Sequence, residues 1–341
     1  HLRLGRSRLD GLAAGAHAAF AGLSRPPIRL LLRTGHPGKP LSRPTGGYNP
    51  NFPHAPAVPG GQDWRGGASD RAVRLTCMRI ARFASAGADP RFGIVELSAD
   101  GGQFPDTITV IDADPLAGPV NYTGERLRLA DVRLLAPVIP RSKVLAVGKN
   151  YADHAAEFDG EVPPEPLIFL KPNTAVIGPG EPIVRPVFSQ DVQFEGELAV
   201  VIGRICRKVP AELASQVIFG YTVANDITAR DLQRRDGQWA RAKGFDSFCP
   251  LGPWIVTHLS VEEAGDLSLV TSVDGEVKQD AATSQMVYAI PDLIAYISAF
   301  TTLLPGDVIL TGTPAGVGPI LAGQRVSVEI DGIGTLTNPV I

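Results

Sequence analysis

Cysteine is scarce in this chain, histidine is nearly absent beyond its first quarter, and no apolar run reaches the 18 residues that a membrane-crossing helix needs. Cys77, Cys206 and Cys249 make an odd number without CxxC spacing. That argues against a disulfide framework or a thiolate zinc site and fits a reducing, cytoplasmic setting. No charged start followed by an apolar stretch marks a signal peptide. Hydrophobic residues at 44% with charged residues at 20% are enough for a sizeable buried core, so a folded protein without staples is expected.

Acidic residues are almost missing from residues 1–77, where ten arginines and one lysine face three aspartates and nine prolines interrupt any periodicity. Such a segment reads as a disordered or non-native leader. A transit peptide or a nucleic-acid arm would share its composition, but the first methionine, Met78, directly precedes the strand-like MRIARFAS and is taken as the natural start. A chain beginning there is expected to fold and to bind metal as the full chain does.

Residues 78–138 read as a small β-rich domain, with strand patterns at 79–83 and 92–97 and a turn at 100–102. Pro137 and Pro140 lead into a second unit, 139–341, dominated by apolar runs at 143–147, 167–170, 197–202, 220–224, 254–256, 267–273, 307–310 and 325–330. Helical spacing is confined to 151–158, 210–217 and 290–302. Strands do not alternate with long helices as a doubly wound fold requires, so the expected class is α+β, a β-rich mixed-sheet barrel or roll with a small β-rich N-terminal domain.

FEGELAVVIG places Glu195 and Glu197 two residues apart at the head of an apolar strand, where a period of two sends both side chains to one face. Two adjacent carboxylates must be solvated, partly protonated or bridged by a cation. YTVAND ends another apolar strand at Asp226, a third oxygen donor. An all-oxygen set favours Mg²⁺, with Mn²⁺ or Ca²⁺ as alternatives, over Zn²⁺. Alone, a Glu-x-Glu pair also describes the wet face of an edge strand.

In NYADHAAEF, His154 and Glu157 are helical neighbours, so the carboxylate can orient the imidazole and raise its basicity. Lys171 in LIFLKP and Lys243 in ARAKGFD follow apolar or aromatic residues, and either can hold a carboxylate or polarise a carbonyl. LTGTPAGVG offers backbone N–H groups and the Thr313 hydroxyl to an oxyanion, but it has neither the P-loop ending nor the dinucleotide spacing. Nucleotide binding is rejected.

Together, VGKNYADHAAE, FLKP, FEGELAVVIG, YTVANDITARDLQ, AKGFDSFCPLGPW and LLPGDVILTGTPAGVG resemble the fumarylacetoacetate hydrolase family in matching order, from Lys143 to the C-terminus. Residues 78–138 are similar to the small domain that precedes it in bacterial 2-hydroxyhepta-2,4-diene-1,7-dioate isomerases. The resemblance implies a divalent metal, Mg²⁺ first, on Glu195, Glu197 and Asp226, and a water-activating pair in His154 and Glu157. It further implies an active-site Lys243 and substrate contacts from Lys149, Lys171, Gln233 and Thr313. Lys149 stands where many members carry arginine, which keeps the charge and loses the bidentate fork.

The implied chemistry is cleavage of a carbon–carbon bond in a small 2-oxo acid through a metal-stabilised pyruvate enolate. Hydrolysis of an acylpyruvate such as fumarylpyruvate stands first, oxaloacetate decarboxylation second and dienoate isomerisation third, in the setting of aromatic compound catabolism. A metal-stabilised binding module is the non-enzymatic alternative. The resemblance also implies a homodimer, and no nucleic-acid or membrane partner is expected.

Overall fold

The strands Gly196–Ile202 and Cys249–Val256 are buried from end to end and Ile218–Asn225 is buried from Gly220 onward, as their largely apolar runs require of strands covered on both faces. They form the middle of a twelve-stranded mixed sheet in the computed structural model, which describes residues 78–98, 104–157 and 160–341. The leader, the turn at 100–102 and the end of the helical stretch at Phe158 lie outside those residues.

On one side of this centre, Cys249–Val256 pairs antiparallel with Arg79–Ala84, which continues through Arg91–Glu96, Thr107–Ile111 and Tyr122–Arg128. The strands of the first 60 described positions thus extend the same sheet. On the other side Gly196–Ile202 pairs with Val308–Leu310, which runs parallel to Val144–Gly148, and Leu167–Lys171 closes the row. The row has two free ends, so the β-rich mixed fold is an open roll and not a closed barrel.

A four-stranded antiparallel sheet, ordered Glu276–Ala282, Ser268–Val273, Arg325–Ile330 and Gly334–Pro339, packs its apolar alternation into the same core. A three-stranded sheet of Thr228–Ala229, Val192–Phe194 and Gly318–Pro319 ties the Glu-x-Glu segment to the glycine-rich loop region. The helix Ile290–Phe300 buries Ile290, Leu293, Ile294 and Ile297, as its spacing predicts, and ends at an exposed Phe300. The stretch expected to be helical at 210–217 is a 3₁₀ turn, Ala211–Gln216, opened by Pro210. Among the described residues no helix is long and apolar enough to cross a membrane.

Candidate metal centre

The acidic cluster is the product of one antiparallel pair. Gly196–Ile202 and Ile218–Asn225 register Gly196 opposite Asn225 and Glu197 opposite Ala224, and the Asp226 N–H donates to the Glu195 carbonyl at 2.8 Å. Two segments distant in sequence therefore present three carboxylates together. Ligand oxygens of Glu195, Glu197 and Asp226 all lie within 4.8 Å of one another, and all three side chains are buried. Gly196 between the two glutamates is the residue that lets the second sheet approach, since a Cβ there would run into the Thr271 hydroxyl.

The three acids are not equally compensated. Lys243 Nζ donates to Glu195 Oε2 at 2.8 Å and to Asp226 Oδ2 at 2.7 Å. Lys171 Nζ donates to Asp226 Oδ1 at 2.5 Å and to the Lys243 carbonyl, and Arg230 Nη2 reaches Glu195 Oε1 at 2.5 Å. Burial would raise the Glu195 acid, but Lys243 and Arg230 outweigh it and hold Glu195 well below the usual carboxylate range. Burial likewise opposes the charge on Lys243, and Asp226 and Glu195 outweigh that too, keeping it an ammonium.

Among the described residues Glu197 forms no ion pair. Its Oε2 accepts one hydrogen bond, from the Gly312 N–H at 2.6 Å, and burial together with the charges of Asp226 and Glu195 drives its acid well above the usual range. Gly312 has φ +98°, and a Cβ there would stand 2.8 Å from Asn150 Cβ, so only glycine lets the loop come this close. The donor set fits a hard divalent cation: oxygen donors alone, with one buried carboxylate awaiting a positive charge.

Beside the cluster lies a cavity of about 220 Å³ lined by Lys149, His154, Phe169, Glu195, Arg230, Gln233, Trp239, Lys243 and Thr313, among others. Five expected residues, Lys149, His154, Gln233, Lys243 and Thr313, thus share one wall system with Glu195. His154 Nδ1 is 3.0 Å from Glu157 Oε2, and Glu157 Oε1 accepts from the Gly316 N–H at 2.7 Å. Thr313 Oγ1 donates to the Gly196 carbonyl and accepts from Gln279 Nε2, so the loop's hydroxyl is tied to the Glu-x-Glu strand. Lys171 is not on the cavity wall; its ammonium is directed to Asp226 and backbone carbonyls.

Two residues were missed by sequence reasoning. Arg230 donates to Gln193, Gln233 and Glu195 at once, and Gln279 bridges Gly196 N–H, Thr313 and the Pro314 carbonyl. The basic residue of TARDLQ was the available signal for Arg230; Gln279 sits in the polar strand EVKQDAA and gives none.

The family described as Fumarylacetoacetate (FAA) hydrolase C-terminal matches residues 143–341. The chain belongs to the fumarylacetoacetate hydrolase family. Residues 78–137 match the family described as Rv2993c-like, N-terminal. Protein Rv2993c of Mycobacterium tuberculosis is 56% identical over 267 residues, covering 77% of this chain and 98% of its own length. The human mitochondrial oxaloacetate tautomerase FAHD2A is 42% identical, over 73% of this chain and 84% of its own. The crystal structure of a 5-carboxymethyl-2-hydroxymuconate delta-isomerase from Mycobacterium smegmatis superposes with a TM-score of 0.70 at 53% identity, covering 77% of this chain and 99% of that one. A fumarylpyruvate hydrolase from Pseudomonas aeruginosa, solved with Mn²⁺ and pyruvate, gives a TM-score of 0.56 at 33% identity, over 61% of this chain and 91% of that one. Members of the fumarylacetoacetate hydrolase family similar to this chain are thus hydrolases, isomerases and tautomerases.

Proposed function

We propose that the chain is a Mg²⁺- or Mn²⁺-dependent enzyme that moves a proton at carbon 3 of a small 2-oxo acid, interconverting its keto and enol forms. The observation that carries this is the cavity itself, which His154, held by Glu157, lines together with Glu195 of the carboxylate cluster. When bound, a divalent cation supplies Lewis-acid polarisation of a 2-oxo carboxylate. A proton on His154 Nδ1, facing Glu157, leaves the other ring nitrogen to take the proton from carbon 3, and the carboxylate stabilises the imidazolium that results until that proton is given back to the 2-oxo oxygen, which completes the enol. Lys243, fixed between Glu195 and Asp226, keeps a positive charge beside the position where the enolate's charge grows. Lys149, Gln233 and Thr313 are placed on the wall to orient the acid.

The motifs alone put acylpyruvate hydrolysis first. That order is reversed because the isomerase and tautomerase relatives, 42–53% identical, are more similar to this chain than the hydrolases at 33–36%. Hydrolysis is the second reading, supported by the same His154–Glu157 pair, which would activate water in place of carbon 3. The test is to follow oxaloacetate enol–keto exchange and acylpyruvate breakdown with Mg²⁺, with EDTA, and in His154→Ala. Metal-dependent exchange without acylpyruvate breakdown is expected; breakdown as fast as exchange favours the second reading, and no metal-dependent turnover of either sinks both.

A further inference from the structure

Tyr151 is 2% exposed, and its hydroxyl has no hydrogen-bond partner among the described residues. A phenol in such a place is unfavourable against phenylalanine unless something arrives to accept its proton.

Its surroundings say where that acceptor would come from. Asn150, one residue earlier, is locked by donating to the Tyr288 and Thr311 carbonyls at 3.0 and 2.8 Å and accepting from the Tyr288 N–H at 2.8 Å. The same Asn150 packs against Gly312, whose N–H holds Glu197. Tyr151 itself bridges to Met286, and its carbonyl accepts the Ala155 N–H in the turn that carries His154. The tyrosine is therefore clamped between the loop that positions the uncompensated glutamate and the helix that positions the imidazole. Burial first, and then the charge of Glu197, raise its hydroxyl acid above the usual phenol range.

We propose that Tyr151 is a ligand-orienting residue whose Oη donates a hydrogen bond to an oxygen that enters the site with the divalent cation. The oxygen belongs to a water or to a carboxylate of the organic acid, and its acceptor chemistry is the same in both. The proposal rests on the cation reading above, and it adds a donor beside Glu197, with which no basic side chain forms an ion pair among the described residues.

The experiment is a Mn²⁺ titration of wild type and Tyr151→Phe, reading free Mn²⁺ by electron paramagnetic resonance, once with Mn²⁺ alone and once with oxalate, a chelating mimic of the 2-oxo acid. Melting curves of both metal-free proteins accompany it. The expected result is a metal-free variant that melts at or above the wild-type temperature but binds about tenfold more weakly in one arm, the loss expected for one hydrogen bond. Weakening with Mn²⁺ alone identifies a water, and weakening confined to oxalate identifies the acid. Equal affinities in both arms overturn the proposal. So does a metal-free variant that melts lower or fails to fold, because the hydroxyl would then serve the fold. Wild type that takes up no Mn²⁺ instead overturns the cation reading itself, and this proposal with it.

Discussion

His154 Nδ1 stands 3.0 Å from Glu157 Oε2 on one turn of helix, and the same glutamate reaches across to the Gly316 N–H. The carboxylate therefore fixes both the tautomer of the imidazole and the distance of its helix from the glycine-rich loop. Removing the imidazole in His154→Ala should lower turnover by roughly 10²–10⁴-fold, the range for a general base. Glu157→Gln keeps the shape and loses the charge, so its turnover should fall less, about tenfold, with KM nearly unchanged. Steady-state kinetics of the two variants check this, and a Glu157→Gln enzyme equal to wild type would remove Glu157 from the reaction.

The metal-free protein should lose stability as pH rises from about 5 to 8. Glu197 holds its proton in the fold above the pH where the unfolded chain releases it, because burial and the Asp226 and Glu195 charges disfavour its ionised form. In that window the native state binds more protons than the unfolded one, so stability falls with pH. Glu195 acts oppositely, but its folded acid is depressed, so its contribution is lost only as pH falls below the ordinary carboxylate range. Melting temperatures in EDTA across pH 5–8 should slope downward in wild type and lie flatter in Glu197→Gln. Added Mn²⁺ should abolish the wild-type slope, and a flat wild-type profile in EDTA would contradict the assignment.

Two members of the triad should respond to amide substitution with opposite signs. Glu197→Gln removes an uncompensated buried acid, and the metal-free variant should be as stable as wild type or more so. Glu195→Gln leaves the buried Lys243 and Arg230 short of a counter-charge, and a loss of roughly 3–5 kcal/mol is expected. Both substitutions should abolish Mn²⁺ uptake. Urea denaturation in EDTA separates them, and equal destabilisation by the two would mean that Glu197 has a cationic partner.

The strands that carry the site were legible because their apolar runs have the length and composition of strands buried on both faces, and Glu195, Glu197 and Asp226 fall at their ends. What the spacing could not supply is the pairing register, which sets Asp226 against Glu195. The strand Glu276–Ala282 escaped because its side chains are mostly exposed and polar. Its signal lay in the turn before it: Asp274 and Gly275, at φ +52° and +85°, form a two-residue hairpin loop of the type that Asp-Gly favours. Gln279 on that strand became part of the site only through tertiary contact. Lys171 and Lys243 were legible as candidates to hold a carboxylate or polarise a carbonyl but not as partners of one another, since Lys171 reaches the Lys243 carbonyl across 72 positions of chain.

Arg230 carries the last prediction. Its guanidinium donates to Gln193 Oε1 at 2.9 Å, Gln233 Oε1 at 2.7 Å and Glu195 Oε1 at 2.5 Å, so one planar fork ties a carboxylate of the acidic cluster to a cavity amide on its own helix. An ammonium keeps the charge but has no fixed fork and a shorter reach. Arg230→Lys should therefore hold Glu195 and release Gln233. Each lost hydrogen bond is worth about 1 kcal/mol, so KM for the 2-oxo acid should rise several-fold while Mn²⁺ affinity changes less than twofold. Kinetics paired with Mn²⁺ titration distinguish this from a simple electrostatic role, in which lysine would restore both. A variant that weakens Mn²⁺ binding as strongly as substrate binding would show that the fork's planarity serves Glu195 and that Gln233 is oriented by something else.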